Sequence, residues 1–525
     1  MSSCHKCWHC ITKRTRKDAT RIVDVKQTKE LSSPGAVEVD SPIGLLASTT
    51  AAFLGRARRG PLNTPVFIEN FSEFRDHFGG CWSGSMLADA VQQFFSHGGT
   101  NLYVVRIANN ARGARIDLPG PNGPLVLEAA EPSSTEHVRA AVDYDGIEDE
   151  KGQYFNLTLQ RLAPDSSIVL DQEIYRRLSC QSDNVLFVGS ELARSQLAHV
   201  CNTVPAHRPD STGAGYINQT EMGTDGSALS DYDLIGSPEL GTGMFSLNKI
   251  EEFDLLYIAP SMTSCVPGPA AVLAAEIYCR RRGTMLILDP PETWMSTSDA
   301  LEGFEEAGYA HPDVLSYFPR AMSSHSATRE ESIAIGGAIA GLLCKLDRQS
   351  GPWEDLDQQG FELSHDLLPA LDIPASEAHR LVKGGLNVIV GQRPGHAMVC
   401  GSVTLAHGSQ SGDQFTSLTT RRLCLSIKNA VDSVTRRTVF KLNTAAVKEH
   451  IVADVRKYMD ELVNAGALKN DRFSVDCDTN QGEKRINCTR DITISLTFDP
   501  ACSDETIKLN ICQAKSDSEV ASQYA

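Results

Sequence analysis

The densest group of reactive side chains comes at the start of the sequence, where Cys4, His5, Cys7, Trp8, His9 and Cys10 crowd together. The C-x2-C-x2-C pattern offers thiolates at zinc-finger or iron–sulfur spacing. A fourth cysteine at ferredoxin spacing is missing, and no second ligand pair lies nearby. A metal would have to borrow His5 or His9, or be closed between subunits. The competing reading is a thiol-rich arm with no ion, and on it no metal or cofactor is expected.

Two further positions invite catalytic readings. Asp289, in LILDPPETW, ends a predicted parallel strand, where α/β enzymes often hold catalytic or metal-binding carboxylates. Its plainer role is to cap or turn the chain before Pro290 and Pro291. His97-Gly98-Gly99 has the look of an esterase oxyanion loop, but no G-x-S-x-G elbow completes it, and a Gly-Gly turn accounts for it. No G-x-x-x-x-G-K-[ST], H-E-x-x-H or strand-linked G-x-G-x-x-G occurs. The enzyme alternative, an α/β hydrolase, therefore rests on fold class alone.

Positive charge gathers late in the chain, at Arg421-Arg422, Arg436-Arg437, Lys448, Arg456 and Lys457. This reads either as a solvated helix face or as a docking surface. The whole chain carries a formal charge of -17, which disfavours a general nucleic-acid binder because phosphate affinity comes from Lys and Arg displacing counterions.

The elements that must position these residues are those of a multidomain α/β protein. A length of 525 residues exceeds what one core usually supports. Hydrophobic residues at 41% and charged residues at 22% exclude wholesale disorder. No apolar run reaches the roughly 18 residues that span a bilayer, and the first residues have no apolar signal core, so retention in the cytoplasm that makes the chain is expected. Fifteen cysteines, an odd number and mostly scattered singly, read as free thiols.

Residues 1–33 are polar apart from the alternation Arg21-Ile22-Val23-Asp24-Val25, which suggests a strand on a linking arm. An α/β core is predicted over 34–110 and 183–383. It holds strands at Ala51–Leu54, Val66–Glu69, Leu102–Ile107 and Asn184–Gly189, and a helix at Ser85–His97. A βαβ unit runs through Phe253–Ile258, Pro269–Arg282 and Thr284–Leu288, which implies a parallel sheet. Residues 111–182 read as a β-rich insertion around VRAAVDYD and YFNLTLQRLA, with Asn109–Pro124 as loop. Residues 384–525 read as an α+β domain. Its two amphipathic helices carry Leu423, Ile427, Ala430, Val431 and Val434, then Val447, Ile451, Val455, Tyr458 and Leu462, and three strands follow, closing with Ile507, Leu509 and Ile511.

Three blocks, taken in order, resemble the contractile tail-sheath family. The first is SPGAVEVDSPIGLLASTTAAFLGRARRGPLNTPVFIENFSEFRDHFGG, with its Pro-Gly opening, Gly-Arg-Ala strand end and Phe-Gly-Gly helix close. The second is DGSALSDYDLIGSPELGTGMFSLNKIEEFDLLYIAP, followed by LILDPP. The third runs from GLNVIVGQRPGHAMVCGSVTLA through TTRRLCLSIKNAV, VFKLNT and LVNAGAL to RFSVDCD. Together they span about residues 33–512. The chain departs from the family where relatives carry Pro-Pro-Ser-Gly and it has Ile335-Gly336-Gly337-Ala338-Ile339-Ala340-Gly341, and in the Cys/His cluster, which has no family counterpart.

The resemblance implies an α/β core with an outward β insertion and an inner C-terminal domain. It implies a virion or injection-particle protein that stacks as hexameric rings into a helical homo-oligomer around an inner tube protein, meeting baseplate and tail terminator or cap proteins, with no nucleic acid bound and no membrane insertion. Arg21, Ile22, Val23, Asp24 and Val25, with Ile507, Leu509 and Ile511, are the expected intersubunit linkage. Lys448, Arg456 and Lys457 are the expected tube-facing residues. An arm of about 33 residues spans up to about 110 Å when extended. The subtilisin-like core sometimes ascribed to the family has no triad context here and is read as a likeness of fold.

Overall fold

The computed structural model describes residues 20–22, 49–149, 152–163, 166–261, 266–323, 332–357, 360–393, 396–406, 415–438, 445–469, 473–479, 492–503, 505–513 and 522–524. The chain divides into two units, Met1–Pro34 with Ala111–Asp225, and Gly35–Asn110 with Gly226–Ala525.

Among the described residues the first unit is all β apart from one short helix. Its larger sheet has the order Thr20–Ile22, Val169–Ser179, Tyr154–Leu162, His137–Asp143, Ile217–Asn218, and a second sheet has the order Ala198–Val200, Leu125–Ala129, Arg115–Leu118. Strict alternation makes this core: Val138, Ala140 and Val142 are buried from one strand, and Ile116, Leu118, Leu125 and Leu127 from the other sheet meet them. The expected end at 182 moves to Asp225, because Ala198–Val200 pairs with Leu127–Ala129 and Ile217–Asn218 pairs with Arg139–Ala140. Two local expectations also change. The apolar run Asn184–Gly189 is not a strand but a turn leading into the helix Val188–Leu192, which buries Val188 and Leu192 four residues apart. Short apolar runs do not distinguish the two periods. Arg115–Leu118 is a strand inside the predicted loop, its two inward residues masked in the sequence by flanking Gly and Pro.

The second unit is organised by an eight-stranded sheet with the order His396–Cys400, Asn387–Arg393, Val314–Phe318, Met285–Leu288, Leu255–Ile258, Thr50–Gly55, Asn101–Arg106, Pro65–Ile68. The six central strands are parallel and the two edge strands antiparallel. Parallel strands covered on both faces need apolar side chains on both, which TAAFLG and LLYI supply: Ala51 and Phe53 enter one core cluster, Ala52 and Leu54 the other. The predicted βαβ unit is present, with its helix at Pro269–Arg282. Asn387–Arg393 and His396–Cys400 join this sheet, so the core takes in residues beyond 384.

The helices Leu87–Ser96 and Gly336–Gln349 share one face of the sheet, and the glycine-rich departure from the family pattern explains their contact. A Cβ at Gly337 would lie 2.3 Å from the Ala90 carbonyl oxygen, and one at Gly341 would lie 2.4 Å from that of Phe94. The i, i+4 glycines let two backbones touch where larger residues would force them apart.

The C-terminal region has the helices Leu418–Thr438 and Ala445–Asn464 packed on a sheet of order Ser474–Thr479, Ile492–Phe498, Ile507–Gln513, Ser522–Tyr524, one strand more than expected. Nine described cysteines are free thiols. The Cys4 to Cys10 cluster lies outside the described residues, as do Val23, Asp24, Val25 and the VFKLNT segment.

Candidate assembly strands and the anchors behind them

Thr20–Ile22 lies parallel along Gln172–Ile174 at the edge of the larger β sheet of its unit, three residues against an eleven-residue strand. Its other side is paired with Tyr154–Leu162, but on the side of Thr20–Ile22 the rest of it has no strand beside it among the described residues, and its first residues Val169 and Leu170 are 40% and 46% exposed.

Ile507, Leu509 and Ile511 are placed differently from the expected linkage. Their strand is paired antiparallel on both edges, to Ile492–Phe498 and to Ser522–Tyr524. All three side chains are buried in the C-terminal core. A strand with both edges filled and a buried face is an interior strand of its own domain. The three-residue strand Ser522–Tyr524, covering only Leu509–Ile511, is the one at the sheet's margin.

The basic pair Arg421-Arg422 is neither a solvated face nor a docking surface. Both residues are buried, and each meets a carboxylate of the core. Arg421 Nε donates to Asp313 Oδ1 at 2.5 Å, and its guanidinium lies over the Phe415 ring at 4.7 Å. Arg422 donates to Asp347, which also accepts from the Thr49 hydroxyl at 2.5 Å. Further along the same helix, Asn429 Nδ2 donates to the Gly283 carbonyl at 3.0 Å. A Cβ at Gly283 would stand 2.5 Å from Asn429 Oδ1, and its φ of +71° is one that favours glycine. The helix thus has two buried sides: Leu418 and Leu425 join the core-sheet cluster, while Leu423, Ile427 and Val431 join the C-terminal one. Beside this clamp, half-buried Asp254 accepts from the Thr50 amide at 2.9 Å, and desolvation pushes its pKa up to about 6.

Sequence reasoning missed Asp254, Asp313 and Asp347. The available signal was the position of the arginines, one turn from the buried Cys424 and Leu425, where a solvated charge has no room. Of the expected tube-facing residues, Arg456 and Lys457 are exposed and Lys448 is half-buried, all on Ala445–Asn464. The side chains of Arg436 and Arg437 lie outside the described set.

The two positions with catalytic overtones are occupied by structural bonds. Asp289 is buried at its strand end, but it caps a distant helix instead of the adjacent Pro-Pro turn. Its Oδ1 accepts from the Ile335 and Gly336 amides at 3.1 and 2.9 Å, and its Oδ2 from the Tyr257 hydroxyl at 2.6 Å. Burial raises its pKa against the pull of these donors and of Arg320. The carboxylate fills the helix N-terminus that an anionic ligand would otherwise use. His97 is likewise satisfied on both nitrogens, Nδ1 facing the Gln93 carbonyl at 2.7 Å and Nε2 accepting from the Ser364 amide at 3.0 Å. That arrangement fixes the Nδ1–H tautomer, and burial lowers the imidazole's pKa.

The chain thus has a doubly wound core, interrupted in sequence by a β unit, with an α+β domain held to that core by buried ion pairs. Residues 410–511 match the phage tail sheath C-terminal domain family. The tail sheath protein of Vibrio phage KVP40 is 24% identical over 196 residues, which cover 37% of this chain and 28% of that protein. The chain therefore matches well under half the length of that curated relative. The sheath tail protein of Desulfitobacterium hafniense superposes with a TM-score of 0.53 at 13% identity, covering 92% of this chain and 100% of that one. The sheath tail protein of Listeria innocua gives 0.58 at 12%, covering 89% and 94%. Residues 410–511 are thus similar to a tail-sheath domain family, and over nearly all its length the chain shares the fold of solved sheath tail proteins.

Proposed function

We propose that this chain is the sheath subunit of a contractile phage tail or contractile injection system, and that its role is mechanical and not enzymatic. The observation that carries the reading is the agreement of a family-matched C-terminal domain with a sheath fold over nearly the whole chain. On this reading subunits polymerise as stacked hexameric rings around an inner tube protein, bounded by a baseplate and a tail terminator or cap, in a particle assembled in the bacterial cytoplasm. Arm strands from one subunit pair with sheet margins of its neighbours, so main-chain hydrogen bonds knit the polymer. The N-terminal part of this linkage is Arg21 to Val25. At the C-terminal end the marginal strand Ser522–Tyr524 suits exchange better than Ile507, Leu509 and Ile511, which the domain needs for its own core.

Contraction is a rigid-body transition between two packings of folded domains while the strand linkages hold. The Arg421–Asp313 and Arg422–Asp347 pairs serve this by making the C-terminal domain and core move as one. Lys448, Arg456 and Lys457 hold the extended sheath on its tube by charge complementarity. The linkage is tested by deleting residues 1–25. The truncated chain is expected to stay folded by circular dichroism and melting yet form no continuous sheath in electron micrographs. Normal long sheaths without the arm would overturn the linkage.

A further inference from the structure

The helix Pro269–Arg282 is apolar on both sides. Inward it buries Ala271, Val272, Ala275 and Cys279 against the sheet. Outward it presents Leu273 and Ile277, 58% and 43% exposed and one turn apart, followed at the next turn by Arg281. Two large apolar side chains exposed on neighbouring turns of one helix are surface that a contact would cover. The helix Thr297–Ala307 covers the same sheet face over the next crossover, since Ala300 and Phe304 enter the same core cluster as Ala271 and Ala275. Its outward residues are acidic: Asp299, Glu302, Glu305 and Glu306 are all exposed. Met295, 78% exposed, stands just before it. One face of the core thus carries an apolar ridge with a cationic end beside an anionic ridge with an apolar start.

We propose that this face is a contact between two copies of the chain, the Leu273–Ile277–Arg281 ridge of one subunit seating against Met295 and the acidic helix of the next. Charge complementarity selects the occupant, because the chain itself carries the anionic counterpart of the cationic ridge on the same face. The inference rests on the sheath reading above and adds the surface through which the folded cores meet, separate from the exchanged strands.

The test uses the full chain in three forms: wild type, Arg281→Glu, and Arg281→Glu combined with Glu302→Arg and Glu306→Arg. A fourth form, Leu273→Glu with Ile277→Glu, removes the apolar ridge. All five positions are exposed, and melting curves check that each variant is folded. The expected result is sheath from wild type, at least tenfold less polymer by sedimentation from Arg281→Glu and from the ridge variant, and recovery of polymer in the triple charge swap. Polymer yield unchanged by either disruptive change, or no recovery on swapping, overturns the contact while leaving the sheath reading in place. A wild-type chain that sediments only as monomer overturns the sheath reading and the contact with it.

Discussion

The buried carboxylates divide by what they bond, and their titration follows. Asp254 has a folded pKa of about 6 against an ordinary 3.8, with burial the first cause. Its folded form therefore binds a proton more readily than the unfolded chain does. Stability contributed by that proton is present below pH 4 and is lost as pH rises to about 6, to a total of about 3 kcal/mol. Asp254→Asn keeps an oxygen for the Thr50 amide and removes this fall. The variant is expected to melt above wild type at pH 7 and to lose that advantage near pH 4, as thermal melts at the two pH values would show. His97 works in the opposite direction. Its lowered pKa gives stability above pH 6.5 that is lost on acidification. Both proteins share His97, so the difference between their pH curves isolates Asp254. Asp289 is a cap, and Asp289→Ala would strand two amides and the Tyr257 hydroxyl in the interior. A loss of about 2–4 kcal/mol in denaturant unfolding is expected, with Asp289→Asn costing less because one oxygen still accepts.

At the scale of elements, the helix Leu418–Thr438 joins two cores through paired charges. Removing one partner of a buried pair leaves the other charge uncompensated, so Arg422→Ala is expected to destabilise the chain by about 3–5 kcal/mol. Arg422→Met with Asp347→Leu should recover much of that, and a double-mutant cycle by denaturant melts checks both values. The sequence showed this helix clearly through Leu423, Ile427 and Val431, and it showed the βαβ unit through LLYI, the helix with Pro at its start, and MLIL. It did not show that the helix is buried twice, since one amphipathic stripe is visible in a periodicity but the partners of Arg421 and Arg422 come from 108 and 75 residues away. The apolar run Asn184–Gly189 misled for a related reason: a short run is compatible with strand or helix until tertiary packing decides. Ile507, Leu509 and Ile511 alternate as any half-buried strand does, so the sequence could not say whether their partners lay in the same subunit or the next.

For the whole molecule, the proposed function turns on how subunits hold to one another and to a tube. Tube attachment belongs at this scale. Reversing Lys448, Arg456 and Lys457 together to Glu is expected to release extended sheath from its tube at low salt, while Arg456→Glu and Lys457→Glu, at exposed positions, each leave monomer melting within about 0.5 kcal/mol of wild type. Co-sedimentation of sheath with tube reads that outcome, and full retention would remove these residues from the interface. The central claim is that this chain polymerises into a sheath, and cryo-electron microscopy of the purified full-length protein tests it most directly. The account predicts hollow tubes of stacked sixfold rings, each subunit carrying the doubly wound core and its clamped C-terminal domain as one body. Discrete particles at every concentration and salt, with no rings or tubes, would contradict it.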